Sequence, residues 1–276
     1  MLSWQQAAIA AGAAGIVGAV LVGFGMPAGP LARRWAALAG PFLREAGVVL
    51  GLYALWQLAG SLAGPPEGAI GHAWWLWHAE RTIHLPSELD VERWLLPHRT
   101  LSQAANFYYA TMHFGMLIVM LVWLFAWHRD RYPAIRNAMA ATTAFCLLIS
   151  FVPVAPPRML SSLGFVDLAA RYGQSVYTTG GTVGADQLSA MPSVHVAWAM
   201  LVAWAVISSG ISRWRWLIVA HPVLTVLVVV GTGNHFWADG IVACAIVALV
   251  LTAMTVLPEK ISRRVRAFRS TRDHIS

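Results

Sequence analysis

Between Leu101 and Trp127 the chain runs for 27 residues without one charged side chain. As an α-helix this stretch would be about 40 Å long. About 20 apolar residues are enough to cross the hydrocarbon core of a bilayer. A helix that is apolar all round is buried in protein or in lipid, not laid on an aqueous surface. Six more charge-poor windows accompany it: the middle of Met1–Ala32, Ala46–Pro66, Asn137–Val154, Pro192–Ser209, Trp216–Val230 and Ala238–Leu257. Trp216–Val230 is short for a full span, so its ends are expected to extend into the flanking loops. Only 11% of the residues are charged, against about 25% in ordinary soluble domains, so a soluble domain is excluded. The expectation is an all-α polytopic membrane bundle: a six-helix core plus an extra N-terminal transmembrane helix.

The whole chain, 1–276, is expected to be one integral membrane domain. Residues 1–100 would hold the N-terminal helices and an interfacial segment, 101–257 the core, and 258–276 a basic tail. Met1–Ala32 lacks a basic start, so a cleaved signal is not expected. From Glu67 to Arg99, tryptophans 74, 75 and 77 mix with Glu80, Arg81, Glu88, Asp90, Glu92 and Arg93. That mixture suits amphipathic helices lying in the interface, with Glu80, Arg81 and Glu88 on a solvated face or gating access. Cys146 and Cys244 both fall inside apolar runs and suit core packing, not a disulfide framework or a metal site.

Charge sets the orientation. With the C-terminus in the cytoplasm, 14 of the 19 basic residues fall on the cytoplasmic side, as the positive-inside rule requires. Arg81, Arg93, Arg99, Arg158 and Arg171 remain outside. The net charge of +7 then faces inner-leaflet lipid and not nucleic acid. The basic tail and the lack of organelle signals point to a bacterial plasma membrane.

The same count puts Arg158, His195, His235 and Asp239 together on the outer face. Each stands at the end of an apolar run: Pro156-Pro157-Arg158, Pro192-Ser193-Val194-His195, and Gly233-Asn234-His235-Phe236-Trp237-Ala238-Asp239. Ionisable groups near membrane depth are costly and mark functional sites. These residue types suit phosphoester cleavage. A neutral imidazole at His235 can attack phosphorus and form a covalent intermediate. Asp239, four residues on and on the same face if the segment is helical, can hold the other ring nitrogen. His195 can protonate the departing alkoxide. Arg158 offers a planar fork to phosphate oxygens, and Ser193 offers a hydroxyl. Pro192 suits a first helical turn, where free backbone N–H groups would face an anion.

Pro-Ser-x-His at 192–195 and His-x-x-x-Asp at 235–239, preceded by Pro-Pro-Arg at 156–158, resemble the type 2 phosphatidic acid phosphatase superfamily. The resemblance spans roughly Leu101 to Leu257. It implies a helical core with the motifs at helix ends, His235 as nucleophile, Asp239 as its partner, His195 as the leaving-group acid, and Arg158 and Ser193 as phosphate ligands. Two cations of the family pattern are missing. No basic residue lies between Arg136 and Arg158, and Val229 stands where a Ser-Arg pair is usual. This form resembles the inositolphosphotransferase branch (inositol phosphorylceramide synthase-like), as do Tyr109, His113 and Asn106. Tyr109, His113 and Asn234 are candidate site walls. A diester, with less charge to neutralise than a monoester, would need fewer cations, so transfer and hydrolysis both stay open.

The implied activity is a lipid phosphatase or lipid phosphotransferase that needs no metal or organic cofactor. Its partners would be a lipid phosphate or phospholipid substrate and the surrounding membrane lipids. Phosphatidate, polyprenyl phosphates and inositol-containing phospholipids all suit these residues. Two other classes use some of the same side chains. One is a haem-binding electron-transfer protein with His195 and His235 as axial ligands. The other is a metal-dependent hydrolase with His195, His235 and Asp239 as ligands. A transporter would instead place broken helices near the midplane. Histidines 72, 78, 84, 98, 128, 221 and 274 suit packing or the interface.

Overall fold

The computed structural model describes residues 3–23, 30–61, 68–175, 188–210 and 212–273, with the backbone alone at 30–36, 59–61 and 257–273. Among these residues there are ten α-helices and no strand. Five helical stretches are long and apolar enough to cross a membrane: Trp4–Val22, Ala37–Leu58, Arg99–Trp127, Arg213–Gly231 and Trp237–Val256. The protein is an all-α polytopic bundle. The chain divides into two compact units, Met1–Pro65 and Pro66–Ser276.

The first unit is a helical pair, α1 (Trp4–Gly23) and α2 (Pro30–Ser61). Small residues let the two backbones touch, the usual device for packing helices in lipid. A Cβ added at Gly47 would lie 2.9 Å from the Ala11 carbonyl oxygen, and one at Gly18 2.8 Å from that of Gly40. The helix α2 begins well before the Ala46 expected from charge, and it carries Arg33, Arg34 and Arg44 within its first half.

The second unit holds α3 (Ala69–Thr82), α4 (Glu88–Leu95), α5 (Arg99–Trp127), α6 (Tyr132–Ser150), α7 (Leu168–Arg171), α8 (Val194–Ser209), α9 (Ala220–Gly231) and α10 (Trp237–Asp273). Helix α8 packs against α5, α6, α9 and α10 and is the centre of the bundle. The short apolar window at 216–230 is lengthened by a 3-10 turn, Arg213–Val219, that leads into α9. Helix α10 runs unbroken into the basic segment, where a separate tail was expected. The two ends of the bundle carry exposed tryptophans: Trp75 and Trp94 at one, Trp127, Trp214 and Trp216 at the other. Such belts mark the two bilayer interfaces. Cys146 and Cys244 are free thiols in the bundle.

One expectation for 67–99 is corrected. Glu80 and Glu88 do not form a solvated face; both are buried, as is Glu92. In α3, Glu80 continues the stripe of Ala69, Ala73 and Leu76, and in α4 Glu88 and Glu92 share a stripe with Leu95. Spacing by three and four puts these carboxylates on the packed side. There α3 and α4 close over Val154, Ala155, Ala190 and Phe236. Residues 176–187 lie outside the described residues, as does His274.

Candidate active site

Three segments that are far apart in sequence are tied together by main-chain hydrogen bonds. Val154 N–H donates to Leu188 O (2.7 Å), and Ala190 N–H to Val154 O (3.0 Å). Arg158 N–H donates to Gly233 O (2.8 Å), and Ser193 N–H to Asp239 O (3.2 Å). Buried backbone groups must find partners, and here each loop supplies them to the next. Helix α3 joins through Ala155 N–H, which donates to Ala69 O (3.1 Å), and through His72 Nδ1, 2.7 Å from Pro153 O.

His235 lies in the loop between α9 and α10, two residues before α10 begins. The pair with Asp239 therefore does not form along a helix face; it closes around a helix start. Asp239, in the first turn, reaches back with Oδ2 to accept from Phe236 N–H (2.8 Å), as the third helical residue does in a capping box. The same oxygen lies 3.2 Å from His235 Nδ1. Ala190 O is closer to that nitrogen, at 2.7 Å. Both partners are acceptors, so Nδ1 carries the proton and Nε2 carries the lone pair. Nε2 is buried and has no hydrogen-bond partner.

His195 occupies the first turn of α8, with its ring centroid 5.5 Å from that of His235. Tyr109 stacks on its other side (4.3 Å, 20° between planes), and His113 meets it at 4.3 Å and 58°. Both come from α5. Ser193 caps α8: its Oγ accepts from Val196 N–H (3.3 Å), a strongly preferred arrangement at a helix start. Pro192 lies before this cap and not in the first turn, a correction to the sequence expectation.

Arg158 sits in a 3-10 turn past the end of α6, and its side chain is buried. Its Nη1 donates to Asn234 Oδ1. The Asn234 amide is itself oriented by donating to Thr232 Oγ1 (2.8 Å). Asn234 thus holds the Arg158 guanidinium in place. On the other edge, Arg158 Nε lies 3.4 Å from Asp167 Oδ2. Neither Asp167 nor the three buried glutamates was singled out as a site residue from the sequence. The stripe positions of Glu80 and Glu92 carried the signal; for Asp167, in irregular chain, no periodicity exists to carry one.

Glu80 and Glu88 serve the start of α10. Ala238 N–H donates to Glu80 Oε1 (2.7 Å) and Trp237 N–H to Glu88 Oε1 (3.4 Å). Helix N-termini leave such donors unsatisfied, and carboxylates favour that end of the dipole. Arg81 pairs with Glu88 (3.1 Å) and Glu80 (3.5 Å). Burial pushes the Glu80 carboxyl from 4.5 up to about 9; the hydrogen bond to Glu88 and that residue's charge add to the rise, and the Ala238 N–H opposes it. Burial also raises Glu92, to about 7, against the Val166 N–H that it accepts.

The folded protein therefore keeps a proton on Glu80 that the unfolded chain has already released. This contribution to stability is complete below pH 4.5 and is lost as pH rises through about 9. Thermal unfolding in detergent should show a melting temperature that falls as pH rises between 4.5 and about 9 and levels off beyond it. Glu80→Gln keeps both the acceptor and the donor and should flatten that arm. An equally steep fall over the same pH range in Glu80→Gln would refute the assignment.

Gly233 is the pivot between the Arg158 turn and His235. Its φ is +65°, and a Cβ there would lie 2.9 Å from Glu92 Oε2 and 3.3 Å from Arg158 Cβ. Left-handed backbone costs a non-glycine residue roughly 1–2 kcal/mol, and the contact adds to it. Gly233→Ala should lose at least about 1–3 kcal/mol of stability, measurable by thermal unfolding, and should lose activity as Arg158 is displaced.

The other chemistries fit these residues poorly. Among the described residues, no three His, Cys, Asp or Glu side chains group as metal ligands. The rings of His195 and His235 meet edge to face, which leaves no gap for a porphyrin. A family model described as the PAP2 superfamily matches residues 74–253, from inside α3 to near the end of the apolar part of α10. Among curated proteins and solved structures, nothing matches the chain. The match takes in every motif segment together with most of α3 and all of α4, and covers well over half of the sequence. This membrane protein belongs to the PAP2 superfamily, whose chemistry is phosphatase-type cleavage of phosphoesters.

Proposed function

We propose that the protein cleaves a lipid phosphoester through a phosphohistidine and passes the phosphoryl or phospho-headgroup unit to water or to an alcohol. One observation carries the reading: His235 has Nδ1 held by Ala190 O and Asp239, while Nε2 is buried, unpartnered and beside His195. In the first step Nε2 attacks phosphorus, the N–P bond forms, and the P–O bond to the leaving alcohol breaks. His195, in its protonated form, gives its proton to that oxygen. In the second step water or an acceptor alcohol gives its proton back to His195 and attacks phosphorus. The N–P bond then breaks and His235 is free again. Arg158 and the Ser193 hydroxyl receive the phosphoryl oxygens. Capping α8 uses Ser193 Oγ as an acceptor and leaves its proton to donate.

The site works at the outer face of a plasma membrane, with the C-terminus in the cytoplasm. Arg129, Arg131, Arg213 and Arg215 lie at the bundle end opposite the site loops, which supports this orientation. No metal or organic cofactor takes part. The missing basic residues before Arg158 and at Val229 favour the inositolphosphotransferase-like branch.

The test uses detergent-purified protein with lipid monoesters (inorganic phosphate release) and an inositol phospholipid plus an alcohol acceptor (headgroup transfer). Each is run with and without chelator. Turnover that survives chelator and is absent from His235→Ala is the expected result. Turnover that chelator abolishes, or that His235→Ala retains, would overturn the mechanism.

A further inference from the structure

Arg158 does not wait for substrate alone. Asp167 Oδ2 lies 3.4 Å from its Nε, on the edge of the guanidinium opposite Asn234. The contact is built into the fold and is not a chance encounter of loop side chains. The residue before Asp167 is anchored by Val166 N–H donating to Glu92 Oε1 (2.8 Å). The residue after it is anchored by Leu168 O accepting from Asn106 Nδ2 (3.2 Å). Asp167 itself caps α7 through Oδ1, which accepts from Ala170 N–H (2.8 Å), and so turns Oδ2 toward Arg158. Asn106, Glu92 and Asp167 come from three different elements and converge on one result: a fixed negative charge beside the phosphate-binding cation.

We infer that Asp167 is a specificity-determining residue, which selects a phosphodiester carrying one negative charge over a phosphomonoester carrying nearly two. This deepens the proposed function and rests on it. Arg158 brings one positive charge and Asp167 one negative. Asp239, behind His235, is a second carboxylate. Of the arginines near these elements, Arg81 is held by Glu88 and Glu80, Arg93 pairs with Asp90 at 4.0 Å on the exposed surface, and Arg171 of α7 is exposed. A monoester dianion entering such a site meets Asp167 with little positive charge left to offset it. A diester brings half that repulsion and still takes a hydrogen-bonded edge of the guanidinium. Like-charge juxtaposition is a strong way to reject a ligand.

The test compares kcat/KM for a lipid phosphomonoester and a lipid phosphodiester of the same acyl chains, in the parent, Asp167→Asn and Asp167→Ser. Both replacements keep a side-chain oxygen that can cap α7, so they remove charge and not the turn. Competitive inhibition by inorganic phosphate is a second readout. The parent should prefer the diester. Both variants should shift the preference toward the monoester by at least about tenfold and should bind inorganic phosphate more tightly by a similar factor. An unchanged preference and unchanged phosphate inhibition in both variants, with His235-dependent turnover intact, would overturn the inference and leave the proposed function standing. A parent that prefers the monoester would overturn it in the same way. Absence of any His235-dependent turnover in the parent would overturn the proposed function and this inference together.

Discussion

Replacing His235 with alanine should lower turnover by at least about 10³-fold, a loss typical of removing a nucleophile. The ring is buried, and its Nδ1–H bond to Ala190 O ties two loops. Some stability should therefore go too, about 1–2 kcal/mol for the lost bond, which thermal unfolding will register separately from rate. Nucleophile and acid can be told apart by the leaving group. An ester of an acidic phenol leaves without a proton, so it should restore cleavage to His195→Ala but not to His235→Ala. A rapid quench should trap labelled phosphorus on the parent protein and none on His235→Ala. Equal labelling of the two proteins would rule out His235 as the attacking group.

Asp239→Asn should be the next most damaging change, with a fall in kcat on the order of 10²–10⁴-fold and little change in KM. The reason differs from the usual one. In a triad the carboxylate fixes the tautomer of its histidine. Here the nearer acceptor at His235 Nδ1 is the Ala190 carbonyl, 2.7 Å away, against 3.2 Å for Asp239 Oδ2. The backbone already holds the proton on Nδ1, and an asparagine leaves that bond in place. What the substitution removes is a negative charge facing the imidazole as it turns cationic during attack. The loss should therefore appear in the chemical step and not in substrate binding, and it should persist across the working pH range. Stability should change little, because the asparagine oxygen can still accept from Phe236 N–H. A raised KM with unchanged kcat would show that Asp239 only shapes the pocket.

Much of this was legible in the sequence, and the limits have physical causes. Long charge-free windows mark spans because a bilayer leaves no other option for them. The four polar residues at run ends stand out because charge near lipid is expensive. The structure does gather Arg158, Ser193, His195, His235 and Asp239 at one end of the bundle, with Tyr109, His113 and Asn234 around them. Their catalytic roles await the experiments above. Helix boundaries were harder. Helix α2 carries its arginines inside the helix, because backbone hydrogen bonding continues past the point where apolar composition stops. The His235–Asp239 pair looks the same in sequence whether it lies along a helix or around its start. Glu80 and Glu88 were set aside as solvated, although Glu80 follows Ala69, Ala73 and Leu76 at helical spacing. Composition argued for the interface and periodicity argued for burial, and periodicity was the better guide. Asp167 could not be found, because its partner Arg158 is joined to it only through the folded path of an irregular loop.

The loops that hold His235 and Arg158 are fastened to one another by peptide groups, which almost any side chain would supply. Helix α5 meets the same centre differently, through the rings of Tyr109 and His113 and the amide of Asn106. The loops and the helix are thereby joined to the centre by different kinds of contact. A proline at Val154 or Ala190 would delete a fastening N–H between the loops, whereas substitutions at Tyr109 or His113 would act on His195 through its ring contacts.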